Sequence, residues 1–404
     1  MKVLPRRRKT SSLTPQRASN MAKKSTPTKG KNKTSRLYTI VANVITGFSL
    51  ATVLLLCLSV ASTYISPEKV RLLSLAGLAF PFFLGGTVFM FFISLLFAWR
   101  RSWIPLVGLL LCSGTIYRYF PINFPSPAPK QSLKVMTYNT AQFGLWTGSN
   151  KDKNDVNGEN RLMRDILREN PDIVGYQEGF YGSQYTKHVE PMLKRNGMYH
   201  KSVLSSDNYI GCISRYPILE TDTICKTDVT NAVLFKIKLS NADTLYFVVT
   251  HLKSMGFSEE ERKTFKENVE QLRDDDSNDS LNYDGLFHLA RKIARASEPR
   301  ARQADIIAKF IEENKHRNLI VCGDFNDTPV SYTYQTIASA GNLDDAFVQS
   351  GNGLGRTFNR HAMVVRIDHI LYGADYWEPH AAHILDRPDR SDHNAVAVYL
   401  RRKQ

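Results

Sequence analysis

After a charged tail of 36 residues, apolar runs dominate the chain to about residue 120, and short apolar runs broken by polar residues fill the rest. No charged residue occurs from Leu37 to Ile65, a run long enough to cross a bilayer as a helix. A second uncharged run extends from Leu72 to Trp99, and a third, shorter apolar run, charged only at Arg118, covers about Trp103 to Phe120. The length of the first run and the presence of further ones argue against a cleaved signal peptide. Between Phe120 and Lys130, Pro121, Pro125, Pro127 and Pro129 stiffen the chain into a spacer.

From Leu133 the texture changes to strands alternating with helices. Leu133–Tyr138 and Asp172–Tyr176 read as strands, with a helix at Arg161–Glu169 between them and Pro171 just past its end. Met192–Arg195 belongs to a helix and Tyr209–Ser214 to a strand that leads into Arg215-Tyr216-Pro217. Val233–Leu239 and Leu245–Thr250 alternate as a hairpin around Asn241-Ala242-Asp243. Residues 255–298 form a charged, mostly helical insertion with an acidic knot at Asp274-Asp275-Asp276 and a loop near Asn278–Tyr283. A helix from about Arg302 to Glu313 feeds a strand beginning at Leu319. No internal repeat is present, and the predicted class is mixed α/β. The expected organisation is a disordered basic tail (1–36), a membrane anchor of two to three helices (37–120), a Pro-rich linker (121–132) and one long domain (133–404).

The formal charge of +15 points toward nucleic acid until its position is considered. Residues 1–36 hold twelve Lys or Arg and no acid, and residues 119–404 net −1. The long domain is therefore not basic overall, and its electrostatics give no support for binding DNA. Cationic flanks stay in the cytoplasm, which places the tail and Arg100–Arg101 on that side. Three crossings then put the long domain outside, and two keep it inside; three is the favoured count. The expected location is an integral protein of a bacterial inner membrane. The five cysteines form no metal-like cluster, and only Cys212 and Cys225 are candidates for pairing outside the membrane.

Candidate chemistry centres on Leu319–Pro329. Leu319-Ile320-Val321-Cys322 reads as a strand buried on both faces, Gly323 lets the chain turn, and Asp324 and Asn326 emerge beyond it. A carboxylate and an amide two residues apart suit a phosphate site, although the same residues also make an ordinary Asx turn. Other polar residues recur at apolar strand ends. Asn139 follows Val135–Tyr138, Glu178 follows Ile173–Gln177, and His251 follows Phe247–Thr250. Asp368 and His369 follow Val364–Ile367, and Asp392 and His393 precede Asn394–Val398. Each alone has a structural explanation; their recurrence does not.

The ordered set Tyr138-Asn139, Gln177-Glu178, Thr250-His251-Leu252, Gly323-Asp324-Phe325-Asn326, Ile367-Asp368-His369-Ile370 and Ser391-Asp392-His393 resembles the endonuclease/exonuclease/phosphatase superfamily. Gly211–Pro217 is similar to that family's central strand and turn, and the resemblance covers about Lys134 to Leu400. It implies an α/β (α+β) fold: a four-layer sandwich of two packed, mainly antiparallel sheets flanked by helices. It also implies Mg²⁺-dependent hydrolysis of a phosphate ester, with Mn²⁺ as a substitute. Glu178 would ligate the metal, with Asn139 and Asp392 near it. Asp324 and Asn326 would position water and phosphoryl group, and His251 would contact the phosphate. His393, oriented by Asp368, would act as base or as stabilising cation; whether it or Asp324 takes the proton differs among relatives. Arg300 either helps neutralise phosphate or starts a solvated helix. Apurinic endonucleases carry an acid two positions after the first-strand Asn, and Ala141 stands there in this chain, which weakens a second metal and a role in base-excision repair.

The expected function is thus a membrane-anchored phosphoester hydrolase. Its substrate is nucleic acid or a phospholipid or sphingomyelin-type diester, its bilayer contact is through the N-terminal helices, and no protein partner is indicated. The alternatives are a catalytically silent scaffold of the same fold and a transporter or receptor. The last lacks a polar intramembrane site.

Overall fold

The computed structural model describes residues 29–144, 160–179, 183–198, 200–203, 209–241, 243–256, 261, 283–358, 365–387 and 389–403. The acidic knot at 274–276, most of the 255–298 insertion and residues 1–28 of the tail lie outside these residues. Helix α1 (Lys29–Ala61) starts inside the segment expected to be disordered. The second apolar run divides into a 3-10 turn, α2 (Ser74–Leu78) and α3 (Phe80–Phe97). The third becomes α4 (Trp103–Leu111) and α5 (Ser113–Tyr119), separated at Cys112.

These helices form a bundle. Ala42 and Ile45 in the middle of α1 pack on Met90 and Ala98 toward the end of α3, and Leu56 further along α1 packs on Phe80 at the start of α3, so the two run antiparallel. Helix α4 returns alongside α1: Arg101 donates to Asn43 and Thr46 near its start, and Gly108 faces Val53 further on. The basic Arg100–Arg101 turn thus lies at one end of the bundle and the exit of α5 at the other. Among the described residues, Arg36–Ala61 and Phe80–Phe97 are the helices long and apolar enough to cross a membrane on their own.

The rest is two six-stranded sheets. The first runs β11 (Trp377–Leu385), β12 (Ala395–Arg402), β1 (Ser132–Asn139), β2 (Ile173–Gln177), β4 (Gly211–Ser214), β3 (His200–Val203). The second runs β5 (Ile218–Lys226), β6 (Thr230–Lys238), β7 (Thr244–His251), β8 (Leu319–Asp324), β10 (Asp368–Gly373), β9 (Leu343–Asp345). Alternate residues sort each strand between two layers. Val135, Ile173, Phe247, Val249, Ile320, Ile370 and Val396 meet between the sheets. Met136, Val174 and Tyr176 face outward onto α6 (Arg161–Glu169) and α8 (Glu190–Arg195). Val248, Val321 and Leu371 face α9 (Tyr283–Glu313) and α10 (Tyr332–Ala338) on the far side. The result is a four-layer α/β sandwich, as the resemblance implies.

Local chemistry explains the element ends. Asn160 caps α6 by accepting from Met163 N, and Asn170 closes it in a left-handed conformation at φ 53°. All five cysteines are free; Cys212 lies between the sheets, whereas Cys225 faces α9, so burial rather than pairing accounts for both.

Strand direction is what gathers polar residues at one rim. β1 and β2 are parallel, as are β7 and β8, so their carboxyl ends share an edge in each sheet. β12 pairs antiparallel with β1, and β10 with β8, so their amino ends lie at that same edge. Two details depart from the sequence reading. Asp368 begins β10 instead of following a strand, because Arg366 and Ile367 belong to the approach to the sheet. Gly323 stays within β8; a Cβ there would strike the Thr250 carbonyl of parallel β7, and its φ of 138° suits glycine alone.

Candidate active site

At the rim, Asp324 is the hub. Its side chain is 1% exposed, and its Oδ1 accepts from Asn326 N at 2.8 Å. Its Oδ2 accepts from Asn139 Nδ2 at 3.1 Å and faces His393 Nε2 at 3.6 Å and His251 Nε2 at 3.8 Å. The Asn139 amide also donates to Glu178 Oε1 at 3.1 Å, so one carboxamide separates two carboxylates. On the other side, His393 Nδ1 meets Asp368 Oδ2 at 2.8 Å. The structure therefore brings Asn139, Glu178, His251, Asp324, Asp368 and His393, each from a different strand end, into one cluster, which Asn326 joins through its backbone N–H.

Burial and charge set the protonation. His393 is buried, which disfavours its charged form, but Asp368 and then Asp324 outweigh this and push its pKa up to about 10. The Asp324 pKa is raised as well: burial, the largest cause, lifts it above the ordinary carboxylate value, while His393 and His251 pull it down. The resting cluster thus holds an imidazolium between two carboxylates. Glu178 is the wettest member, with a side chain 35% exposed.

The backbone is bent where these residues emerge. Glu178 and Asn326 both have φ 52°, in the left-handed region that costs a side-chain-bearing residue of order 1 kcal/mol or more. After Asn139 the chain turns through Ala141, Gln142, Phe143 and Gly144, all left-handed, closed by Gly144 N donating to Thr140 O. Gln142 N donates to the Glu178 carbonyl at 2.7 Å, which ties that turn to the next strand end.

Three predicted residues take other places. Asp392 is half-buried, and its charge reaches His393. Asn326 gives its amide to Leu252 O at 2.9 Å, so its side-chain N–H serves the loop after β7. Arg300 is 1% exposed inside α9, donating to Asp327 Oδ2 at 3.2 Å and Lys253 O at 2.9 Å. It is neither a solvated helix start nor a member of the cluster, since α9 runs through Pro299 without ending. His369, beside Asp368, is also set apart: its ring packs on Phe325 and Tyr334, and its Nε2 meets Asp327 O.

Sequence reasoning missed the residues that hold the cluster from behind. The buried Thr357 hydroxyl accepts from Ile367 N and Asp368 N at 2.9 and 3.1 Å, and its carbonyl accepts from Asn394 N. It thereby links the segments bearing Asp368 and His393, and nothing in Gly355-Arg356-Thr357 signals this. Phe358 stacks edge-on against His393 at 5.1 Å. Ser391 donates to Asn139 O and accepts from His393 N, a role hinted at by the Ser-Asp-His block.

Asp324, Asp368 and His393 each place one donor atom within 4.8 Å of the others, a metal-competent spacing. Within that trio, Asp368 and His393 are already hydrogen-bonded to each other at 2.8 Å. The oxygens of Glu178, Asn139 and Asp324 are hard donors with no sulfur among them, and they fit Mg²⁺ or a similar ion better.

A model of the Endonuclease/Exonuclease/phosphatase family matches residues 136–393, and one of a domain of unknown function matches residues 42–119. No curated protein matches the chain. Similar solved structures include the human Nocturnin catalytic domain with bound sulfate, 17% identical, covering 69% of this chain and 97% of that one with a TM-score of 0.47. An endonuclease/exonuclease/phosphatase from Beutenbergia cavernae is 16% identical over 68% of this chain and 72% of its own, with a TM-score of 0.46. The mannosyl-6-phosphatase of Bacteroides thetaiotaomicron is 17% identical over 67% and 100%, with a TM-score of 0.42. None of these likenesses carries a substrate to this chain.

Proposed function

Because the chain belongs to the endonuclease/exonuclease/phosphatase family, we propose that it is a membrane-anchored, divalent-metal-dependent hydrolase of phosphate esters. The observation that carries this is the unbroken line Asp368–His393–Asp324–Asn139–Glu178, assembled from both sheets at one rim. Glu178, with Asn139 and Asp392 near it, would hold a Mg²⁺ or Mn²⁺ ion. When bound, that ion would supply positive charge to the phosphoryl oxygens. The chain's own groups do the rest. Asp368 fixes the direction of the His393 ring through Nδ1, as a carboxylate does for a catalytic imidazole. Asp324, whose pKa burial raises, and His393, whose charged form Asp368 stabilises, form a pair able to take a proton from water and to return one. His251 presents a second imidazole to the same space, 3.6 Å from Glu178.

The anchor is read from the same chain. α1 and α3 expose Leu37, Ile40, Leu54, Phe89 and Leu96, side chains that suit lipid and not water. α4 and α5 run back beside them, which supports three crossings, a cytoplasmic basic end and a catalytic domain on the opposite face. A substrate with its phosphate at a membrane surface is favoured over nucleic acid, since residues 119–404 net −1. The test is turnover by the detergent-solubilised full chain with and without Mg²⁺. Bis-p-nitrophenyl phosphate, plasmid DNA, sphingomyelin and inositol phosphates would be assayed in parallel, with Asp324→Ala as the blank. Turnover that needs metal and vanishes in the blank is expected; a folded, metal-binding protein inert toward all four would favour a silent scaffold.

A further inference from the structure

Both segments that deliver the central carboxylates have a second side, and it touches the helical bundle. The segment after β8 starts with Asp324 and Asn326 and ends at Val330, which is fully buried among Leu56, Phe80 and Cys112 of the bundle. Behind it stands Gly77 of α2. A Cβ there would overlap the Val330 carbonyl oxygen and lie 2.9 Å from Ser62 Oγ, so the helix meets this loop backbone to backbone. Midway, Asp327 is held by Arg300, and its carbonyl meets His369 Nε2.

The segment before β10 is held in the same way. Arg366, two residues ahead of Asp368, is 3% exposed. Its Nη2 donates at 2.6 Å to the carbonyl of Arg118, near the end of α5, where helix carbonyls lack partners. Its guanidinium lies 4.7 Å over the Phe347 ring and close enough to Asp345 to act on its charge, yet Nε and Nη1 make no hydrogen bond. Burying a cation with two idle donors is costly, so the contact to α5 is not incidental. Arg118 itself donates to Gln335 of α10 and lies over Tyr334. A tether would need none of this; the exposed pairs Arg71–Glu298 and Arg302–Glu68 would suffice.

We propose that the helical bundle is a working part of the active site: Gly77 against Val330, and Arg366 against the end of α5, are positioning contacts that set the segments carrying Asp324, Asn326 and Asp368. The proposal rests on the catalytic reading above and adds that the anchor sets the rate of the chemical step as well as the protein's location. A bundle displaced by a fraction of an ångström shifts both carboxylates relative to His393.

The test uses the full chain in detergent micelles and the water-soluble bis-p-nitrophenyl phosphate, so that closeness of substrate to membrane plays no part. Gly77→Ala and Arg366→Met are expected to lower kcat by about ten- to a hundredfold, with KM within about twofold and little change in thermal unfolding. Arg366→Lys, which keeps a donor for the Arg118 carbonyl, should regain much of the rate, and Arg71→Ala should match the unaltered protein. Amides of 325–328, Val330 and 366–368 should exchange hydrogen faster in the two damaging variants. Unchanged kcat and unchanged exchange in both would overturn the proposal. So would a fall in kcat that only tracks loss of folded protein and is not relieved by lysine at 366. Turnover retained by Asp324→Ala would instead overturn the active-site reading, and the brace with it.

Discussion

Asp368 and His393 make the shortest contact between side chains in the cluster, and the carboxylate there is almost fully shielded from water. Asp368→Asn keeps the volume and removes the charge that holds His393 protonated and correctly oriented. We expect kcat to fall by about a thousandfold with KM little altered, by analogy with loss of the orienting carboxylate in other imidazole-based sites. A variant within about tenfold of the parent would show that Asp368 is structural. The residue scale is also where the sequence was most legible. Asn139, Glu178, His251, Asp324 and His393 each end or begin an apolar run, and the structure places all five together. Arg300 was not legible, because Pro299 mimics a helix boundary, whereas α9 continues through it and buries the guanidinium against Asp327.

At the scale of elements, α6 and strands β1, β2, β7 and β8 follow from apolar spacing and capping residues, and their edges shift by a residue or two at most. The approach to β10 does not. Val364–Ile367 has the composition of a strand, but only pairing with β8 decides where the ladder starts, and it starts at Asp368. Support from a distance is equally invisible: Asp345 shows it. Its carboxylate caps α11 (Ala346–Ser350) by accepting from Phe347 N and Val348 N, and it takes the Tyr334 hydroxyl at 2.8 Å. Burial opposes its charge, but His369, Arg366 and Tyr334 overcome this and hold its pKa at about 2, below the ordinary 3.8. A carboxylate depressed on folding stabilises the native state above its unfolded pKa, and that contribution is lost as pH falls through the folded value. It should therefore be present above about pH 4 and vanish toward pH 2, an effect of order 2 kcal/mol. Urea midpoints measured from pH 5 to 2 should drop less steeply in Asp345→Asn than in the parent; equal slopes would remove Asp345 from the acid response.

For the whole molecule, the arrangement of the bundle decides which side of a membrane receives the chemistry. Arg100 and Arg101 sit beside Asn43 and Thr46 at one end, and the chain leaves α5 at the other, where Asn123 of the linker donates to Val348 O and Gly351 O of the catalytic domain. Charge and packing agree with the proposed topology, in which the basic end stays in the cytoplasm and three crossings carry the catalytic domain to the far side. α4 and α5 are short and broken at Cys112, so the third crossing was the least secure element in the sequence; its course beside α1 and α3 is what supports it. In sealed inside-out and right-side-out vesicles, Ser19→Cys and Lys130→Cys should react with a membrane-impermeant maleimide from opposite faces. The native cysteines interfere little, since four are buried and Cys57 faces the bundle interior. Labelling of both positions from the same face would reduce the crossings to two and return the active site to the cytoplasm. The substrate would then be a phosphate ester reached from within, and the contacts of α2 and α5 with the catalytic loops would still stand, because they depend on packing and not on sidedness.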